Sequence, residues 1–497
     1  MSASTIITAP RTPQTLRAAA VPLAALCLAF FVEMVDNTLL GIALPTIGRA
    51  LDSGTTGLQW VTGAYSLTFG GLLLTAGSAA DRFGRRRVLL TGLAAFGLIS
   101  LLVVLVTSIG QLIALRAALG LAAAAMAPVT MSLIFRLFED EKLRMRAITI
   151  VMVVGMSGFV LGPLLGGTIL SSFSWQWLLV INAPIALIAW IGVRIGVPAD
   201  HRADLTSDRL DLPGAALTVV AIGLGCYTLT SGVQAGWLSP ITIACGVATV
   251  AAIAAFILRE RRAAVPMLDL ALLRTGPVRG AALTQLGANV AFAAVMFALI
   301  LHFQDAYGWS PLRAGLANLP FIVTMIAATP IAEGLAGRLG HRIACLVGTG
   351  FLVGALLGMA WAVDEGYVAI AVMMVLLTIG LRTILTVCAV ALVAAMPANR
   401  TSIGAALNDT AQEIGTSLGT AVVGTLIALL VTNALPTGAW SPALIASYFT
   451  GERIVFIAVA VLTGVIATIG SLTLTDSRAT EEATPADEPV GAAVPQR

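Results

Sequence analysis

Acidic side chains occur inside three strongly apolar stretches of this 497-residue chain. Glu33 and Asp36 lie in the first stretch. The others are Glu333 in the second half and Asp409 and Glu413 near the end. An ionised side chain at the centre of a bilayer costs about 2.5 to 3.5 kcal/mol on insertion scales, so such residues need a partner or a task. These acids predict a function in moving protons or cations across a membrane.

The composition predicts the environment of the chain. Hydrophobic residues make up 58% and charged residues 11% of the sequence, and the mean hydropathy is +0.96. No soluble domain of this length would keep so much apolar surface in contact with water. The sequence therefore predicts an all-α polytopic membrane protein.

Fourteen apolar runs approach or exceed the length of about 20 residues that a helix needs to cross a bilayer. They cover residues 20–45, 57–79, 88–106, 110–135, 147–170, 176–196, 212–232, 239–258, 279–304, 314–337, 343–362, 367–396, 402–432 and 453–474. An even number of spans places both termini on one side. The two ends and the stretches after even-numbered runs hold 23 of the 28 Lys and Arg. By the positive-inside rule, both termini are predicted to be cytoplasmic.

Two sequence motifs each occur twice, and the separation between the two copies is nearly the same for both motifs. The segments 81–86 (DRFGRR) and 337–342 (GRLGHR) are 256 residues apart, and the G-x-x-x-G pairs 158–162 and 415–419 are 257 residues apart. Duplicated halves are typical of secondary transporters. We expect a cytoplasmic leader at 1–19, a six-helix bundle at 20–196, an inserted hairpin of runs 7 and 8 with its linkers at 197–270, a second six-helix bundle at 271–475, and a disordered cytoplasmic tail at 476–497.

Several motifs follow one another in an order that is specific as a set. They are Asp36-Asn37-Thr38 with Ala43-Leu44-Pro45, the loop 77–87, Arg116 with Gly120, the glycines and proline of 158–167, the segment 175–184, and Ser310-Pro311 with Ala314-Gly315. Over about residues 20–475 the chain resembles the fourteen-helix drug:proton antiporter branch of the major facilitator superfamily. Ala79, in place of a larger aliphatic residue, and Arg382, deep in run 12, depart from the family pattern.

The resemblance implies a major facilitator fold of two six-helix bundles plus the inserted two-helix hairpin. It also implies a proton-coupled exporter of drugs or other amphiphilic small molecules in the inner (plasma) membrane of a bacterium, serving antibiotic resistance or self-resistance. We expect no cofactor other than protons as the coupling ion. The expected partners are a small amphiphilic substrate and the lipid bilayer, with neither nucleic acid nor nucleotide, and the protein is expected to be a monomer.

The first run carries the predicted proton-coupling site. Glu33 and Asp36 are three residues apart and share one helical face. Burial in a helix bundle favours a protonated carboxyl group, and an approaching guanidinium, for which Arg116 is the candidate, favours the ionised form. A movement that changes the distance between Asp36 and Arg116 would therefore couple proton binding to conformation. The alternative is a static ion pair.

Three further groups of residues are candidates for function. The loop residues Gly77, Asp81, Arg82, Gly84, Arg85 and Arg86 are predicted to form a conformational latch, the alternative being a solvated basic loop. In the fifth run, the small residues and the proline of the antiporter motif are predicted to allow close helix packing at a moving interface; they are Gly158, Gly162, Pro163, Gly166 and Gly167. The substrate-cavity candidates are Asp409, Glu413, Gln412, Tyr65 and Arg382. Here the two acids could bind a cationic drug or a second proton, or could pair with Arg382.

Other functions are weighed against transport of drugs. Ser157 and Ser417 lie in Gly- and Ser-containing patterns that resemble intramembrane serine hydrolases, but the only histidine in a run, His302, lies at a different depth. The only lysine, Lys142, follows a glutamate and so cannot belong to a nucleotide-binding P-loop. The five cysteines have no C-x-x-C spacing and predict packing. A lipid or endogenous metabolite as cargo, and uptake as direction, stay open.

Overall fold

The structure is a computed structural model that describes residues 15–138, 140–200, 205, 210–263, 270–395, 401–430 and 440–474. Within these ranges the regular structure consists of helices, without strands. The α-helices are α1 Ala20–Ala50, α2 Thr55–Phe83, α3 Arg85–Leu101, α4 Ile109–Ala124, α5 Ala127–Leu137, α6 Glu141–Ser172, α7 Trp177–Val180, α8 Asn182–Gly196, α9 Leu212–Gln234, α10 Pro240–Arg262, α11 Leu270–Arg274, α12 Gly276–Leu301, α13 Pro311–Leu316, α14 Leu319–Ala327, α15 Thr329–Ala362, α16 Tyr367–Ala394, α17 Thr401–Leu430 and α18 Pro442–Thr473. A 3₁₀ turn, Leu102–Leu105, extends α3, and a π-helical turn, His302–Ala306, extends α12.

The predicted apolar runs all coincide with helices. In the part of the chain that the structure describes, eleven helical segments are long and apolar enough to cross a membrane. The helices α2 and α6, which match the second and fifth runs, are 29 and 32 residues long. The chain is therefore a multi-pass membrane protein. The predicted tail, and residues 1–14 of the predicted leader, lie outside the described residues.

The first repeated motif places a glycine at the same kind of turn in both halves of the sequence. Gly84, with φ of 100°, separates α2 from α3, and Gly340, with φ of 78°, interrupts α15. Backbone with positive φ favours glycine because residues with a Cβ atom rarely adopt it. The turn at Gly340 separates the tenth run from the eleventh, so α15 consists of two helical segments with a kink between them, as the two runs predicted.

The second repeated motif forms equivalent helix contacts. In α6, a Cβ atom at Gly158 would meet Val35 of α1, and one at Gly162 would collide with Thr38. In α17, Cβ atoms at Gly415 and Gly419 would collide with the backbone of α12. The Thr38 hydroxyl donates a hydrogen bond of 3.2 Å to the Gly158 carbonyl. The close backbone approach predicted from these small residues is confirmed.

The α9–α10 hairpin is bonded to the rest of the bundle through α9. The Gln59 amide of α2 donates to Thr230 of α9 at 2.9 Å and to Thr425 of α17 at 3.2 Å. All three side chains are buried. Helix α9 therefore contacts both α2 and α17, whereas most residues of α10 face outward.

The helices meet differently at the two ends of the bundle, which we call the Arg49 end and the Arg85 end after residues at the end of α1 and the start of α3. At the Arg49 end, the Arg49 guanidinium donates to Asp305 at 2.8 Å, and Gln304 donates to the Ile42 carbonyl at 2.7 Å. A Cβ atom at Gly167 of α6 would collide with Leu312 of α13. The first and second halves of the chain are thus in contact at the Arg49 end.

Candidate functional site

The centre of the site is an ion pair deep in the interior. The Arg116 guanidinium of α4 donates to one carboxylate oxygen of Asp36 at 2.5 Å, and the Asn182 amide of α8 donates to the other at 2.6 Å. The side chains of Asp36 and Arg116 are both 1% exposed. Both oxygens of the carboxylate are therefore occupied by donors. The pairing predicted for Asp36 and Arg116 is present, whereas Asn182 was not predicted as a partner.

Tyr65 holds the guanidinium from its other face. Its ring centroid lies 4.3 Å from the Arg116 carbon Cζ, which is a cation–π contact. The Tyr65 side chain is fully buried, so it does not line an open cavity in this conformation. Close approach of α2 and α4 makes this stacking possible, because a Cβ atom at Gly120 would collide with the α2 backbone beside Tyr65.

Three further acids lie beside this ion pair. Glu33 is 2% exposed and interacts electrostatically with Asp36, Asp409 and Glu413. The Glu413 carboxylate accepts a hydrogen bond from Ser66 of α2. We refer to Glu33, Asp36, Asp409 and Glu413 as the acid cluster. Four carboxyl groups beside one paired guanidinium can bind protons, or a cation, with a low local dielectric strengthening each interaction.

The two acids of α17 differ in exposure. Asp409 is exposed and Glu413 is half-buried. Asp409 accepts hydrogen bonds from Asn408 at 3.1 Å and from the half-buried Gln412 at 3.4 Å. Asp409, Gln412 and Glu413 therefore retain accessible surface, unlike Glu33 and Asp36.

Arg382 does not meet the acids of α17. Its Nε donates to Thr329 of α15 at 3.1 Å, and its nearest acidic influence is Glu333, which is exposed. The predicted alternative in which Arg382 neutralises Asp409 or Glu413 is therefore wrong for this conformation. Helix α16 directs Arg382 toward α15, because α15 and α16 pack side by side.

The predicted latch residues lie at the junction of α2 and α3 and not in a longer loop: Gly77, Asp81 and Arg82 belong to the end of α2, Gly84 separates the helices, and Arg85 and Arg86 begin α3. Asp81 pairs with Arg85 across this junction at 3.1 Å, and both are partly exposed. A second acid, Asp200, reaches the junction from beyond α8. It accepts from the Arg86 backbone N–H at 3.1 Å and pairs with Arg136 at the end of α5 at 2.5 Å.

Asp200 is thus the acid that joins neighbouring helix ends here, and no sequence motif predicted its role. A Cβ atom at Gly84 would meet the Asp200 carboxylate at 2.5 Å, so glycine is required by packing as well as by φ. Arg82 stacks over Phe83 at 5.4 Å. Gly77 has open space around its Cβ position.

The antiporter motif lies where α6 meets two other helices. Gly166 packs against Leu39 of α1. Pro163 lies against Gly315 of α13, where an added Cβ atom would come within 2.8 Å of the proline ring. Helix α6 therefore contacts α1, which carries Asp36, and α13, which belongs to the second half of the chain.

The serines considered as nucleophiles have structural contacts. Ser157 donates to the Val154 carbonyl at 2.6 Å, and Ser417 donates to the Gly63 carbonyl at 3.4 Å. His302, the histidine considered as a base, pairs with Glu452 at 2.6 Å. Nucleophilic catalysis requires a serine and its base within hydrogen-bonding reach, and neither serine is bonded in that way.

Comparisons with known proteins agree with this architecture. Residues 26–420 match the family described as Major Facilitator Superfamily. The chain is 31% identical over 402 residues to multidrug resistance protein Stp of Mycobacterium tuberculosis, covering 81% of this chain and 74% of that protein. It is 32% identical over 420 residues to multidrug efflux pump LfrA of Mycolicibacterium smegmatis, covering 84% of this chain and 82% of that protein.

Among solved structures, a bacterial homolog of the human lysosomal transporter Spinster, in an inward-facing and unoccupied conformation, has a TM-score of 0.64 with 15% identity. The alignment covers 92% of this chain and 98% of that chain. This likeness shows a shared fold. The family match, which covers most of the chain, establishes that the protein belongs to the Major Facilitator Superfamily.

Proposed function

We propose that this protein is a proton-coupled secondary exporter of drugs or other amphiphilic small molecules, and not an enzyme. The observation that carries the proposal is the buried Asp36–Arg116 pair beside three further acids. Such a cluster can exchange protons with the two sides of a membrane when the bundle rearranges. The names of the relatives, a multidrug resistance protein and a multidrug efflux pump, support drugs as cargo and export as direction.

We also propose the membrane topology of the fourteen-helix drug:proton antiporter branch. The spans would be α1, α2, α3, α4 with α5, α6, α7 with α8, α9, α10, α12, α13 to the Gly340 turn, the rest of α15, α16, α17 and α18. The bundles would comprise 20–196 and 271–475, with the hairpin between them. Both termini, and with them the Arg85 end, would face the cytoplasm of a bacterium, as the arginine distribution favours.

In the proposed cycle, Asp36 exchanges the coupling proton. When Asp36 takes up a proton, its attraction for Arg116 weakens, and the guanidinium can move with α4. When Asp36 is ionised, the pair re-forms in the geometry described above. The protein would act as a monomer and would need no cofactor beyond protons. The basic junction of α2 and α3 would serve as the latch.

The test is transport by purified protein in proteoliposomes. A pH gradient should drive uphill accumulation of an amphiphilic dye or drug, with no ATP present, and a protonophore should abolish it. Uphill transport that survives collapse of the gradient would refute proton coupling. Gradient-driven transport of a lipid or metabolite, with none for any amphiphilic drug in a panel, would keep the coupling and refute the proposed cargo.

A second assignment concerns the charge of the substrate. Because Asp409 and Glu413 retain accessible surface and Arg382 bonds to Thr329 instead, we propose that the two acids line the substrate cavity and contact cationic substrates. Glu413→Gln should then impair cationic drugs far more than neutral ones, since only the cations lose a charge partner in a low-dielectric cavity. Equal loss for both classes at normal expression would assign Glu413 to proton binding instead. Gln412→Glu, beside Asp409, is the complementary variant and should favour cations.

A further inference from the structure

A second buried acid–base pair lies far from the acid cluster. His302, at the end of α12, and Glu452 of α18 are 150 positions apart, and the distance from Nδ1 to Oε2 is 2.6 Å. Both side chains are 0% exposed. Within the described part of the chain, the second nitrogen of His302 and the second oxygen of Glu452 have no hydrogen-bond partner. The proposed transport cycle makes no use of this pair.

Aromatic rings surround the pair. Tyr307, Phe449, Phe303 and Tyr448 lie with their ring centroids 4.4, 5.2, 5.7 and 6.3 Å from that of His302. The Tyr448 hydroxyl donates to the Ala298 carbonyl of α12 at 3.4 Å. An aromatic enclosure solvates charge poorly. The free energy of the pair therefore depends strongly on its net charge, and so on how many protons it holds.

The other charged groups nearby are already paired with one another. Asp305, from the same turn as His302, is bound to Arg49 of α1. Arg453, next to Glu452, turns away and pairs with Asp364 at 3.0 Å. The remaining titratable groups are the hydroxyls of Tyr307 and Tyr448, both of which interact with Glu452.

Proton counting gives the preferred state of the pair. With one proton beyond the neutral imidazole and the carboxylate, the pair is neutral overall, whether that proton lies on nitrogen or on oxygen. Without it, the pair carries one negative charge inside the aromatic enclosure, which is unfavourable. Uptake of one proton from water is the only chemistry required. The packed arrangement described here should therefore hold that proton.

The pair is directly joined to the contacts that close the Arg49 end. His302 begins the π-helical turn His302–Ala306, and its carbonyl accepts from the Tyr307 N–H at 2.9 Å. The same turn carries Gln304 and Asp305, which bind the Ile42 carbonyl and Arg49 of α1. Short π-helical turns are frequent at functional sites. Any shift of His302 must move the two residues that hold α1.

We propose that His302 and Glu452 form a second proton-binding site, separate from the acid cluster, whose protonated form stabilises the closed Arg49 end. Opening that end would hydrate the turn and allow the pair to release its proton. Acid on that side would then favour closure. The inference does not depend on the nature of the cargo, so it can fail while the proposed export function stands, and the reverse.

The test measures closure directly in full-length protein in lipid nanodiscs. Spin labels at Asp52→Cys and Glu365→Cys, both exposed positions at the Arg49 end, report the separation of the bundles in a background lacking the native cysteines. Lowering the pH from 8 to 5 should shift the population to the short distance. The closed-to-open ratio should change about tenfold for each unit by which the two conformations differ in proton affinity.

The variants separate this site from its neighbours. Glu452→Gln keeps a neutral side chain of the same shape, so it should be closed at pH 8 and lose most of the pH response. His341→Gln, at the Arg85 end, should respond like the unmodified pair. A full pH response in Glu452→Gln would overturn the proposal. If Asp305→Asn loses the pH response and Glu452→Gln keeps it, the response belongs to the Arg49–Asp305 pair instead.

A measurement without substitutions in the pair covers the case in which Glu452→Gln does not fold. The chain has three histidines, so nitrogen-15 labelling of histidine gives few signals, and His341→Gln assigns one of them. His201 lies outside the described residues. The His302 ring signals should change between pH 5 and pH 9 together with the spin-label distance. Unchanged His302 signals over a range in which the distance changes would refute the proposal.

Discussion

The replacement Asp36→Asn tests both the ion pair and its proposed role. The native carboxylate accepts from Arg116 through one oxygen and from Asn182 through the other. An asparagine amide has one oxygen and one NH₂ group, so it can accept from only one of these donors and must turn a donor toward the other. The variant also leaves the Arg116 charge without its carboxylate in a site that is 1% exposed.

The cost follows from burial. Removing one partner of a buried ion pair typically destabilises a protein by about 3 to 5 kcal/mol, because the other charge is left uncompensated. The exposed pair Asp364–Arg453, with side chains 50% and 45% exposed, is the matched control. Asp364→Asn should cost about 0 to 1 kcal/mol. In the double variant Asp36→Asn with Arg116→Gln, stability should recover by about 3 kcal/mol relative to the sum of the single variants, which a double-mutant cycle measures.

Two assays are needed. Reversible unfolding in mixed micelles gives the double-mutant cycle, and proteoliposomes with an imposed pH gradient give transport. Asp36→Asn should bind substrate at equilibrium without pH dependence and should not accumulate it, and Arg116→Gln in that background should restore stability but not transport. Gradient-driven accumulation at the native rate in Asp36→Asn would move proton coupling to Glu33, Asp409 or Glu413. Additive stabilities would show that the pair is not energetically coupled.

The remaining predictions concern packing and the Arg85 end. Gly162→Ala should lose about 1 to 3 kcal/mol of stability, because its Cβ atom collides with Thr38 of α1. Gly354→Ala, which has open space at its Cβ position, is the control and should be neutral or more stable. The unfolding midpoints of the two variants give the comparison. Asp200→Asn should speed hydrogen exchange in the first turn of α3 roughly tenfold, since a hydrogen bond to a charged group contributes about 1.5 kcal/mol. Asp81→Asn should instead slow transport with substrate affinity retained and leave that exchange unchanged; equal effects of both variants on exchange would contradict this division of roles.

Local patterns in the sequence predicted much of the fold. Apolar length predicted where helices lie, because a helix must cover the bilayer thickness. Small residues spaced four apart predicted close contacts, and Gly158 and Gly162 make them with α1. The glycine turns at 84 and 340 followed from the repeated loop motif. Each of these inferences depends on residues within a single helix or loop.

Partners that are distant in sequence were harder to predict. The charge of Arg116 made it the natural partner of Asp36, since few other cations lie inside helices. Asn182, however, is neutral and 146 positions from Asp36, and its role is decided by the way α8 packs on α1. Pairing of Arg382 with Asp409 or Glu413 stayed open as one of two alternatives, because the sequence does not state which face of α16 meets α15. No sequence motif predicted the pairing of Glu452 with His302, which lies 150 positions away.

Helix α1 links the two proposed proton sites. Asp36 lies near its middle, and Arg49 lies thirteen residues further on, which is about 20 Å along a helix. The Gly158, Gly162 and Gly166 surface of α6 presents little side-chain bulk to α1, so sliding or rotation of α1 meets few obstacles there. A shift of α1 that lengthens the Asp36–Arg116 contact would also displace Ile42 and Arg49 from the turn that His302 begins. Because α1 joins both proposed sites, with Pro45 between them as a point where the helix can bend, protonation of either site is expected to bias the position of the other, and this mechanical connection is a physical route for coupling.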